Sequence, residues 1–71
     1  MIELMNAVRK HAEANYEKGG WDYVVEAWDD VDIIDVLVRA KCKTEKQAIA
    51  AVKKIVKLQN AHRQEMYSTE F

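Results

Sequence analysis

The chain contains no proline, only two glycines and a single cysteine. Each shortage excludes something. With Gly19 and Gly20 adjacent and no proline anywhere, no linker divides the chain, so it reads as a single domain over residues 1–71. Cys42 has no second cysteine to close an intrachain disulfide, which removes one means by which very small domains compensate for a thin core. No apolar run is long enough to span a bilayer, and no charged segment leads into an apolar one at the start. The expectation is a cytoplasmic protein in a reducing setting without membrane contact.

Chemistry-bearing patterns are equally scarce. Cys42, His11 and His62 are scattered rather than set at Cys-x-x-Cys or His-x-x-x-His spacing, which argues against a zinc site. No glutamate is followed by histidine three places on, as a carboxylate-bridged metal site in a helical bundle requires; His62 and Glu65 stand in the reverse order. The series Asp30, Asp32, Asp35 suggests a calcium loop but places Asp35 where that loop needs glycine and Lys41 where it needs glutamate. Cys42 lies between Lys41 and Lys43 with no histidine and acid arranged around it in sequence, and there is no glycine-rich phosphate loop. The sequence therefore predicts no catalytic residue, no cofactor and no metal, and a protein that is not an enzyme.

What is present is a folding composition, 49% apolar and 32% charged. A chain of 71 residues buries only about 60% of the surface its unfolded form exposes. With disulfide and metal removed, association with a second copy is the remaining source of stability, and a dimer is the expected form. The net charge of −1 conceals an asymmetry: residues 1–38 carry nine acids against three bases, and residues 39–71 carry eight bases against three acids. The two halves are expected to lie against each other or against another copy.

The apolar periodicity is helical throughout, predicting an all-α bundle of three to four helices with a long C-terminal helix. Met1, Met5, Val8, Ala12 and Tyr16 form one stripe of a first helix over about 2–18, with Arg9 facing water and Gly19-Gly20 closing it. In "GGWDYVVEAWDDVDIIDVL", Trp21, Val24, Val25 and Trp28 share a face of a second segment over about 21–29. Asp29 and Asp30 can cap a third over about 30–40, whose stripe reads Val31, Ile34, Leu37, Val38. Residues 21–40 fit either two helices or one kinked helix. Thr44-Glu45-Lys46-Gln47 is a capping box opening a last helix over about 44–67.

That last helix outruns its predecessors, and its stripe turns polar beyond Leu58. A second copy is the expected cover, with Gln59, His62, Met66 and Tyr67 along the seam and the apolar surface around Trp21 and Trp28 beside it. The role this suggests is a small interaction or regulatory module with a protein partner. The alternative is a nucleic-acid-binding helix-turn-helix over Ile34–Val52, with Lys46, Gln47, Lys53, Lys54 and Lys57 as contacts. Against it stand a turn, Lys41-Cys42-Lys43, without the usual glycine and apolar residue, and Glu45 facing the phosphates.

The segments "YEKGGW" (16–21), "EAWDDVDI" (26–33) and "AIAAVKKIV" (48–56) resemble a set of small uncharacterised proteins encoded by bacteriophages and some bacteria. These segments are structural in character. The resemblance implies a phage-like helical protein and carries no functional residue over to this chain.

Overall fold

Backbone hydrogen bonding closes four helices in the computed structural model: α1 Ile2–Ala14, α2 Trp21–Ala27, α3 Asp30–Arg39 and α4 Glu45–Thr69. The structure describes the backbone of residues 1–69 and the side chains of residues 1–61. The protein is an all-α bundle, with no strand among the described residues. At about 1.5 Å per residue, the 25 residues of α4 span roughly 37 Å and set the long axis of a body measuring 43 × 24 × 18 Å.

The first helix is shorter than its periodicity predicts. Asn15 ends it: its side-chain amide donates to the His11 carbonyl at 2.9 Å, and its backbone N–H donates to the same oxygen at 3.0 Å. Asparagine competes in this way with the helical ladder, and its own backbone leaves the helical region at φ −119°, ψ 28°. The predicted stripe is correspondingly cut at both ends. Met5, Val8 and Ala12 are buried, while Met1 and Tyr16 are exposed.

Gly19 and Gly20 do not close α1; they turn the chain into α2. Both have positive φ, +65° and +86°, and Gly20 is the N-cap residue of α2. Their surroundings differ. Gly19 has nothing near it, whereas a Cβ on Gly20 would lie 2.6 Å from Val56 Cγ1 and closer still to Asn60 Nδ2. The turn therefore lies directly on α4 at its fourth turn and beyond.

Residues 21–40 form two helices, separated where Trp28 (φ −87°, ψ 124°) and Asp29 (φ −79°, ψ 166°) adopt extended backbone. Asp32 reaches back to accept the Asp29 N–H at 2.9 Å, as in a capping box, and starts α3 one residue later. Arg9 is not a water-facing residue. Its guanidinium crosses from α1 to donate to the Trp28 carbonyl at 3.1 Å and to pair with Asp30 at 2.6 Å, so the break has partners for its freed backbone oxygen and its first-turn acid.

The buried stripe of α3 also differs from its prediction. Ile33 and Leu37 are fully buried, Ile34 and Val36 partly so, and Val31 and Val38 are exposed at 75% and 57%. Val31, Ile33, Ile34, Val36, Leu37 and Val38 offer two overlapping apolar stripes that periodicity alone does not separate. Burial separates them: the larger Ile33 and Leu37 fill the core in place of Val31 and Val38, and the Asp29–Asp32 cap and the Arg9–Asp30 pair fit the same rotation.

The exit from α3 compensates for a missing glycine. Lys41 adopts φ +53°; its N–H donates to Val38 O at 3.1 Å, and the Cys42 N–H donates to Leu37 O at 3.1 Å. Those two bonds define a Schellman motif, and buried Cys42 following fully buried Leu37 supplies the apolar pair that usually accompanies it. Thr44 Oγ1 accepts the Gln47 N–H at 3.2 Å as expected. The Gln47 side chain, however, accepts from Lys43 N–H at 2.9 Å rather than from Thr44, the longer side chain reaching one residue further back.

The core joins these elements: Met5, Val8 and Ala12 from α1, Trp21, Val24 and Trp28 from α2 and its end, Ile33 and Leu37 from α3, then Cys42, Ala48, Val52 and Val56. No charged or polar residue is buried with them among the described residues. Each fully buried Val, Leu or Ile contributes roughly 1.5–3 kcal/mol, so a single truncation removes a substantial part of a small domain's stability.

Two backbone predictions have opposite signs. Gly20→Ala is expected to lower stability by about 3 kcal/mol, through left-handed strain plus the clash with α4, and Gly19→Ala by only about 1 kcal/mol. Lys41→Gly should raise stability by about 1 kcal/mol, because glycine adopts that φ freely. Urea midpoints of the three variants check both; equal losses at Gly19 and Gly20, or a loss at Lys41→Gly, would contradict this account of the turns.

Candidate interaction surfaces

The tryptophans are drawn inward. Trp21 is 3% exposed and meets His11 edge to face, ring centroids 4.9 Å apart at 76°; such a pair adds about 0.5–1.5 kcal/mol beyond burial. His11 is thereby a packing residue beside the core. Trp28 is 9% exposed, and the remaining edge lines a shallow depression with Asp32, Asp35, Val36, Ile55 and Gln59. Of the predicted seam residues on α4, Gln59 is half-buried, and its Oε1 is shut from water without a hydrogen-bond partner among the described residues. The side chains of His62, Met66 and Tyr67 lie outside the described residues.

Lys46, Gln47, Lys53, Lys54 and Lys57 are all exposed on α4. The ion pairs among the described residues are Arg9–Asp30 and Asp35–Arg39, so these lysines point outward rather than into acids of the N-terminal half. Gln47 is committed at both ends of its side-chain and backbone amide to the start of α4.

A feature that periodicity did not bring forward lies between α3 and α4. Val36 and Ala40 on one side and Ala51, Ile55 and Leu58 on the other line an open groove of about 480 Å³, with Asp35, Arg39 and Lys54 at its edges. It runs on into the depression beside Trp28, with which it shares Asp35, Val36 and Ile55. Leu58 is 64% exposed at its lip. The signal was present: Ala51, Ile55 and Leu58 fall at i, i+4 and i+7, a second stripe adjoining Ala48, Val52 and Val56. Nothing in the sequence says that α3 leaves that stripe uncovered.

The remaining polar geometry is local. Tyr16 Oη donates to Glu26 Oε1, and that hydrogen bond, with added repulsion from Glu26, Asp22 and Glu17, raises the phenol's pKa above its ordinary 10.0. Cys42 is a free thiol buried in the α3–α4 turn. No group of three or more His, Cys, Asp or Glu residues is placed to hold a metal ion among the described residues. No helix there is long and apolar enough to cross a membrane. The likeness to phage-encoded proteins rests on the sequence segments alone: no protein-family profile, curated protein or solved structure matches this chain.

Proposed function

We propose that the protein is a small, non-catalytic helical interaction module that self-associates, as a dimer, and acts through a protein partner. The observation that supports this reading is the uncovered apolar groove between α3 and α4, where Leu58 stands 64% exposed beside Ile55 and Val36. A groove that gathers Val36, Ile55 and Leu58 offers a partner apolar surface to bury. The groove takes the place that the sequence reading gave to the indoles, since Trp21 and Trp28 are already used inside the chain. A single thiol buried in a turn suits the reducing cytoplasm, where the module would act in a regulatory role. Light scattering at about 50 µM, well above a micromolar Kd, should report more than the 8.2 kDa monomer, and Leu58→Glu should return the mass to that of the monomer. A folded wild-type chain that stays monomeric would overturn the reading.

A second reading, nucleic-acid binding, is supported by the turn. Lys41 in the left-handed conformation and buried Cys42 do the work of the glycine and apolar residue whose absence from the sequence weighed against a helix-turn-helix. Lys46, Lys53, Lys54 and Lys57 then form an exposed basic face free of ion pairs among the described residues. Against it, Glu45 is exposed at the start of α4 and the helix continues for 25 residues. If these four lysines each displace a counterion, duplex binding should weaken with a log–log salt slope of about −3.5. A gel-shift series that shows no complex at low salt removes this reading.

A further inference from the structure

We infer that the ligand of the basic face is a nucleic-acid duplex, held by its phosphate backbone without regard to base sequence along one line of α4, Lys46, Lys53 and Lys57. This rests on the nucleic-acid reading above and specifies its partner and its contacts.

At about 100° per residue, Lys46, Lys53 and Lys57 fall within an arc of about 40° on α4, with exposed Ala50 beside them, and the line runs about 16 Å along the helix. The buried stripe Ala48, Val52, Val56 lies roughly 120° away on one side, and the groove residues Ala51 and Ile55 lie beyond Lys54 on the other. The lysines therefore own a face apart from both the core and the groove, and no ion pair among the described residues neutralises them. Glu45, the acid that counts against contact with phosphates, stands about 100° round the helix from this line, on the side of the buried stripe.

The chemistry of the face narrows what it can hold. Within the arc there is no apolar side chain larger than Ala50, so a protein partner finds no pocket in which to anchor an aromatic or aliphatic group. From Glu45 to Ala61 the helix carries no aromatic residue, and Trp21 and Trp28 are buried, so the bases of a single strand have nothing to stack on there. The nearby groups suited to bidentate base reading are already engaged: Gln47 Oε1 accepts the Lys43 N–H, and Arg39 pairs with Asp35. What remains is lysine, a point charge with rotatable donors that meets a phosphate from many directions. A duplex carries one charge per about 1.7 Å of its axis, so lysines about 10 and 6 Å apart along α4 find phosphates whatever bases lie beneath.

The test is fluorescence anisotropy on the full chain at about 20 mM salt and upward, with labelled duplexes of about 20 base pairs, one rich in A·T and one in G·C, and a single strand of equal length. The two duplexes should bind with Kd values within about threefold of each other, and the single strand at least about fivefold more weakly. Lys46→Gln, Lys53→Gln and Lys57→Gln should each flatten the log–log salt slope by about 0.9. Lys10→Gln, roughly opposite the buried stripe of α1, should leave that slope unchanged. All four lysines are exposed, and circular dichroism verifies that the variants keep their helices. A wider preference between the duplexes, single-strand binding as tight as duplex binding, or an equal effect of Lys10→Gln overturns this inference while the nucleic-acid reading stands. Displacement by polyglutamate as readily as by unlabelled duplex, or no complex with any probe, overturns both.

Discussion

The arrangement depends on one close approach, the passage of the chain at Gly20 over α4. There the backbone lies where Val56 and Asn60 leave no room for a Cβ, and φ is +86°. Because the turn can sit directly on α4, Trp21, the next residue, enters the core at once, and α2 follows along the bundle with Val24 inward. A side chain at position 20 would lift this turn from α4 and uncover the indole. Packing of that kind is unforgiving, since protein interiors are close-packed and have little slack to absorb an added carbon.

The rest of the fold is a series of local devices that orient each helix on this frame. Asn15 ends α1 by taking a carbonyl, Arg9 and Asp32 hold the break between α2 and α3, and Lys41 accepts a strained φ so that Cys42 can turn inward. Polar groups here terminate and rotate helices, and apolar groups hold them together. The two charged halves follow the same division. They are joined through an apolar core to which both contribute, whereas the ion pairs among the described residues are Arg9–Asp30, within the N-terminal half, and the single-turn pair Asp35–Arg39. Exposed pairs of this type contribute at most about 1 kcal/mol, so burial outweighs them. The lysines of α4 are left facing outward, which gives the nucleic-acid reading its chemistry.

Much of the architecture was legible in the residues. The helical period, the start at Thr44 and the inward tryptophans follow from spacing and capping chemistry, because those depend on neighbours three or four positions apart, whereas residues 21–40 fitted one helix or two and only the extended backbone at Trp28 and Asp29 divides them. Where the reading differed, two local signals competed. Asn15 lay inside a stripe that ran on to Tyr16, and α3 carried two apolar stripes of similar quality. The groove was least legible, because it consists of what α3 fails to cover on α4.

Spacing and composition dictate the helical class, a chain reversal at Gly19-Gly20 and the partition of charge, all of which depend on short range alone. Tertiary structure alone decided which face of α3 turns inward, that Arg9 serves the α2–α3 break, and that Val36, Ile55 and Leu58 share an open groove. The physical reason is one of range. Periodicity records which residues share a face, but whether that face is covered depends on the rotation and reach of helices distant in the chain, which is set only when they pack.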